Sequence, residues 1–409
     1  MTIITKSLLV GSALAVLIAA PAFADTIDNP TAVVDNDQSA LESDVWGFAG
    51  NEADTALAVT SAGVALGNTA SATTSEDVSL QADNVQELRG HVESQAQGLV
   101  RQAGPMTTTG TTYGNTFTAE NGEADIGVNS NQTIGEGGWI KSRALIEAAE
   151  YAENATATAV AGANTTAVIS ESGYAGADVV QSNGAELHAE AEILSEQADI
   201  PVAVGTSFAV MNNADLATQG EARLAGEQTN SGDGNARTVV LTNGTYGATG
   251  AATITGNNLN MINEGGVGAF DANQTNSGDL KAESFVDAGA FPGVLSSTAT
   301  AIGNSASTNT TGPQSDINIV QNNQGAVLSD ALVTGVSGMV ATTNASAYGN
   351  SATGTLCNCD GAMTARNVQT NSGPVRGRAY NYAGDAAALT ATTVAAGNTA
   401  TYTVGSPEG

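Results

Sequence analysis

Aromatic residues are scarce: Phe, Trp and Tyr together make up 4% of the 409 residues. A thick core built on bulky rings is therefore excluded. Proline is scarce as well, at 8 residues, so long extended runs go uninterrupted. There are 11 Lys and Arg against 41 Asp and Glu, for a net charge of −30. The positive footprint that nucleic acid requires is missing, so no nucleic-acid partner is expected. Only two cysteines occur, as Cys357-Asn-Cys359. They flank a single residue, where a disulfide would close a strained ring, and the isolated His91 and His188 offer no further metal ligands. The cysteines read as an oddity of one loop. No Gly-x-Ser-x-Gly elbow, His-Glu-x-x-His pair or Walker loop is present. Carboxylates abound, but none stands out from its surroundings as a catalytic pair. No cofactor and no enzymatic activity are expected.

The acidity suits cationic or divalent-bridged partners. The simpler reading is a solvated face that keeps a β-rich protein soluble and hinders edge pairing. The Gly-Gly-x-Gly-x-Asp calcium repeat is absent. At the N-terminus, Lys6 precedes an apolar run from Ser7 to Ala20 and the small-residue site Ala22-Phe23-Ala24. This predicts a secretory signal peptide over residues 1–24, whose loss removes one positive charge. No Cys at the cleavage site suggests a lipid anchor, and no later run reaches the length of a membrane helix. The long amphipathic strands of an outer-membrane barrel are also missing.

What the chain does have is repetition. Gln228-Thr-Asn230-Ser-Gly recurs as Gln274-Thr-Asn276-Ser-Gly and Gln369-Thr-Asn371-Ser-Gly, with looser copies at Gln181-Ser-Asn-Gly and Gln321-Asn-Asn323-Gln-Gly. Adding Gln86 and Gln132, the glutamines are spaced 46, 49, 47, 46, 47 and 48 apart. A second word, Gly-Asn, recurs at Gly67-Asn68, Gly114-Asn115, Gly256-Asn257, Gly303-Asn304, Gly349-Asn350 and Gly397-Asn398. Gly162-Ala-Asn164 is a variant, and Met211-Asn212 fills the remaining slot. Two words that keep their order and offset define an array of seven full units and a half unit, each of about 47 residues. The array spans 55–404. Before it, 25–54 matches neither word and reads as a cap or docking segment; after it, 405–409 is a tail.

The local pattern is strand. Leu187, Ala189, Ala191 and Ile193 alternate with His188, Glu190 and Glu192. Around Gly303-Asn304, Ala301 and Ala306 are both apolar, yet their separation is odd, which would place them on opposite faces of a continuous strand. A bulge or corner at each Gly-Asn restores the phase, with Gly and Asn tolerating positive φ there. Arg143 to Tyr151 has short-helix propensity, although its place in the unit is a strand elsewhere.

These features predict an all-β repeat solenoid, β-helix-like, with a narrow core of Ala, Val, Ile and Gly. Because a 47-residue unit exceeds one compact coil, about two coils per unit are expected. Stacked about 4.8 Å apart, equivalent Gln and Asn side chains form amide ladders. Open solenoid ends and these ladders favour a homo-multimer.

Thr300-Ala-Ile-Gly-Asn-Ser-Ala306 and Ala347-Tyr-Gly-Asn-Ser-Ala352, alternating with Asn367-Val-Gln-Thr-Asn-Ser-Gly373 behind a signal peptide, resemble the holdfast anchoring protein D family of stalked and budding alphaproteobacteria. The resemblance covers most of the exported chain. It implies a non-enzymatic protein at the cell surface, associated with the outer membrane. Such a protein would be exported with an outer-membrane secretion lipoprotein and a companion anchor protein, and would tether an adhesive polysaccharide, the holdfast, to the envelope. Two other readings compete. One is a polysaccharide lyase or hydrolase on a β-helix. The other is a trimeric-autotransporter-like adhesin passenger, whose head repeats Ser297-Thr-Ala-Thr-Ala-Ile-Gly303 resembles, though those recur at shorter intervals. Curli subunits share the Gln/Asn words, with repeats roughly half as long.

Overall fold

The computed structural model describes residues 31–75, 77–357 and 361–405. The predicted signal peptide, Cys359 and residues 406–409 of the tail lie outside the described residues.

Among the described residues, seventeen parallel strands join in one hydrogen-bonded network that winds round the molecule. The first are β1 (Thr31–Ala56), β2 (Val59–Thr73), β3 (Ser79–Asn121), β4 (Ile126–Ile134), β5 (Trp139–Ser170) and β6 (Tyr174–Asn183). Then come β7 (Glu186–Asp199), β8 (Val202–Thr218), β9 (Glu221–Asn230), β10 (Gly234–Gly244), β11 (Gly247–Asn263) and β12 (Val267–Asn276). The last are β13 (Leu280–Thr310), β14 (Gln314–Asn323), β15 (Val327–Leu356), β16 (Ala362–Asn371) and β17 (Val375–Val404). No helix occurs among the described residues; Arg143 to Tyr151 lies within β5. The fold is an all-β, solenoid-like stack.

Each strand pairs with its equivalent one unit later, as Gln274 with Gln321 and Ala301 with Ala347. One unit is therefore one coil, and the expectation of two coils per unit is wrong. The reason is the cross-section. A single turn, such as β9 to β11, encloses two apolar lobes instead of one narrow core. The larger lobe holds Leu88, Ile146, Ile193, Val240 and Phe291. The smaller holds Leu80, Phe117, Leu224, Met261 and Phe270. A perimeter that wraps two cores needs about twice the chain of a compact coil.

The phase break at Gly-Asn is present. Along β11 the buried positions alternate as 248, 250, 252 and 254, run on through 255 and 256 at the word, and alternate again as 257, 259, 261 and 263. Ala301 accordingly joins the larger lobe and Ala306 the smaller. The expected positive φ at the word is not. Among the described residues positive φ falls at Glu42, Gly90, Gly137, Gly173 and Gly266. Glycine is needed for closeness instead: a Cβ on Gly256 would lie 2.5 Å from the carbonyl oxygen of Gly303 in the next coil. Residues 31–54, set apart in the sequence, form part of the first coil, paired residue by residue with β3 and with Gln38 against Gln86.

Candidate functional site

The two lobes meet at a waist, and the repeat words stand there. Gln132, Gln181, Gln228 and Gln274 are wholly buried between them. Each Gln donates from Nε2 to Oε1 of the Gln one coil earlier. The steps Gln86 to Gln38, Gln132 to Gln86, Gln181 to Gln132, Gln228 to Gln181, Gln274 to Gln228, Gln321 to Gln274 and Gln369 to Gln321 are all 2.8 Å. The second Nε2 hydrogen crosses the waist to a backbone carbonyl, as from Gln228 to Asn258 at 2.8 Å.

The Gly-Asn asparagines form a second ladder running the other way. Asn68 donates to Asn115, Asn115 to Asn164, Asn164 to Asn212, Asn212 to Asn257, Asn257 to Asn304, Asn304 to Asn350 and Asn350 to Asn398. These bonds span 2.7 to 3.0 Å. Their other hydrogen also crosses the waist, as from Asn257 to the carbonyl of Thr275. A third ladder links Asn183, Asn230, Asn276, Asn323 and Asn371, and each of these amides also closes its own turn, as Asn276 does on the carbonyl of Gly278. Buried amides are costly when left unpaired. Here both hydrogens and the oxygen of each Gln between the end coils find partners, so the interior of the Gln ladder is satisfied internally. Asn183 Oδ1, where the third ladder starts, has no partner among the described residues.

Gly256, Gly303, Gly349 and Gly397 sit beside the amides of Asn276, Asn323 and Asn371, while Gly67 and Gly114 face Leu88 and Ile134. A Cβ on Gly303, for instance, would press on the side chain of Asn323. Gly162 does not share this slot. It pairs with Tyr113 and Val210, so Ala163 stands where the other units have glycine, and Met211 stands there in the next. The single-residue shift within Gly162-Ala-Asn164 hid this. Gln38 and Asn183 were missed as ladder members, although Gln38 lies 48 residues before Gln86, within the period.

The outward faces carry rows of equivalent residues. One row runs Arg143, Glu190, Arg237, Glu283, Asp330 and Arg378. Arg143 reaches Glu192 at 2.6 Å, and Arg237 reaches Glu190 at 2.7 Å and Glu192 at 2.9 Å. Burial works to raise the Glu192 pKa, but the two guanidiniums outweigh it and hold the carboxyl below its ordinary value. A carboxylate clasped in its ionised form braces three coils laterally and is a poor proton donor.

The sequence profile of the family described as holdfast attachment protein D matches residues 53–327. No curated protein and no solved structure matches the chain. The profile spans well over half of the 409 residues and both repeat words. The chain therefore belongs to the holdfast attachment protein D family.

Proposed function

We propose that the protein is a non-enzymatic surface tether that holds an adhesive polysaccharide, the holdfast, on the outer envelope. The observation that carries this reading is the family match over residues 53–327, whose members are described by holdfast attachment. The architecture supports it. A parallel stack whose units are linked by buried amide ladders resists being pulled apart along its axis, which is the load a tether bears. It also repeats one surface at each coil, which suits a polymeric ligand. In this reading the chain comprises a signal peptide, a stack of eight coils that begins with Gln38 and ends with Asn398, and a short tail. It is exported to the cell surface with an outer-membrane secretion lipoprotein, works beside a companion anchor protein, and forms a homo-multimer.

Deleting the gene tests the role. Cells without it should make the adhesive and shed it into the medium; adhesive retained at the normal level would sink the proposal. Purified protein incubated with the polysaccharide should retain it without shortening it. Release of oligosaccharides that stops on replacing Glu190 and Glu192 would favour a β-helical lyase or hydrolase.

A further inference from the structure

The two ends of the stack are complementary, and we infer that copies of this chain stack head to tail, with the first coil of one chain continuing the last coil of another in the same register. This deepens the homo-multimer named above by assigning it a polarity and a junction.

The register places equivalent residues in rows, so the partner of each end residue can be read off. Gln369 is the last of the row that begins at Gln38. No amide donates to its Oε1 among the described residues, whereas Gln38 uses only one Nε2 hydrogen, on the carbonyl of Thr69. The ladder direction, each Gln donating to the coil before it, is the direction a junction from Gln38 to Gln369 requires. The opposite ladder agrees. Asn398 receives from Asn350 and, beyond its bond to the Gln369 carbonyl, has an Nδ2 hydrogen unused among the described residues, while Asn68 donates to Asn115 and its Oδ1 receives nothing from the described residues.

Two further rows change character only toward the ends. The row of Asn51 and Asn381 has Gly98, Ile146, Ile193, Val240, Val286 and Val333 between them. The row of Asn36 and Asn367 is amide in its first two coils, then passes through Ser130, Val179, Gly226, Ala272 and Ile319 before returning to amide. The Oδ1 atoms of Asn367 and Asn381 are buried and have no hydrogen-bond partner among the described residues. A buried acceptor left open at a coil face is satisfied by an amide on the next coil. The register puts Asn36 of a second copy, which uses one Nδ2 hydrogen on Asn84, opposite Asn367, whereas Asn51 of a second copy would have to release the Thr60 carbonyl or the Ser61 hydroxyl to reach Asn381.

Charge points the same way. Residues 31–73 contain Asp35, Asp37, Glu42, Asp44, Glu52 and Asp54 and no Lys or Arg. Residues 362–405 contain Arg366, Arg376 and Arg378 against Asp385 alone. In a chain of net charge −30, the last coil is cationic and the first is acidic. Arg366 ends the row that begins at Asp35. Arg376 ends the row of Trp46, which is 61% exposed and open to a guanidinium on its face. Head-to-head or tail-to-tail stacking would oppose like charges and reverse both ladders.

The test uses purified protein with Cys357→Ser and Cys359→Ser as background. Asp37→Cys and Val368→Cys mark an outward row at opposite ends. At the strand spacing of about 4.8 Å, paired cysteines there are within disulfide reach. A mixture of the two single variants should oxidise to a covalent dimer, and neither variant alone should. Either variant linking to itself as readily as to the other, or a mixture that does not link, overturns the inference. Arg366→Asp should weaken association about two- to fivefold, the range of an exposed ion pair, and Asp35→Arg in the same chain should restore it; no change in either refutes the charge pairing. Cells that keep their adhesive without the gene would sink the tether role and leave the cross-linking result standing.

Discussion

The waist and the outer corner of the coil obey different rules. The Gln strands, β4, β6, β9, β12, β14 and β16, pair along the stack without a register shift. At the far corner of the larger lobe the register shifts repeatedly: between Val100 and Gln102, Glu147 and Tyr151, Thr242 and Gly244, and Phe291 and Val294. Part of the variation among ladder steps of 45 to 49 residues is reconciled there, away from the seam. In the first coils it also falls just after the Gln position, between Leu41 and Ser43 and between Leu88 and His91. The difference teaches that cohesion and register have separate sources. An alternating apolar strand slipped by two residues still buries its apolar side chains, so the lobes alone tolerate slippage. An amide that must meet another amide does not.

The sharpest break of this comparison is an insertion. One residue added after Gln228 turns every later side chain of β9 to the other face, and should destabilise that coil by more than about 5 kcal/mol. The same residue added after Tyr246, at the outer corner, should cost below about 1 kcal/mol. Denaturant unfolding of both variants measures the contrast, and equal costs would refute it. Next in size is Gln228→Leu. It strands the Oε1 of Gln181, an Nε2 hydrogen of Gln274 and the carbonyl of Asn258, for an expected loss of about 3–5 kcal/mol. Ile193→Ala in the larger lobe should cost a comparable 2–5 kcal/mol, about the range for emptying an aliphatic core site. Hydrogen exchange separates the two: protection should fall along the seam in the first variant and around a local cavity in the second.

Glu192→Gln sharpens the lateral brace, with an expected loss of about 1–3 kcal/mol. The sign with pH follows from its depressed pKa in the folded chain. Its stabilisation is present above the ordinary carboxylate pKa and is lost as pH falls through the depressed value. Acid should weaken the wild type more than the variant, and urea midpoints across pH 2–6 read this. The smallest effect belongs to the glycine slot. Ala163→Gly, which brings that coil to the pattern of its neighbours, should change stability by under about 1 kcal/mol. Gly303→Ala should cost about 1–3 kcal/mol, because its Cβ meets the Gly349 carbonyl and Asn323. Thermal unfolding ranks the pair, and a reversed order would refute the crowding argument.

The sequence by itself determined the strand state, the period and the identity of the repeat words. Equal spacing of Gln86 to Gln369, the alternation of Leu187 to Ile193 and the odd step from Ala301 to Ala306 are local patterns, and local patterns survive without coordinates. What these residues meet is a matter of how the chain closes on itself. That one unit makes one coil, that Ala301 and Ala306 serve different lobes, and that Ala163 takes the slot credited to Gly162 all depend on contacts between segments about 17 to 49 residues apart. Periodicity gives the distance between equivalent positions but not the path between them. Only the tertiary structure decided that path, because burying two apolar lobes in a single turn leaves a waist where buried amides must pair.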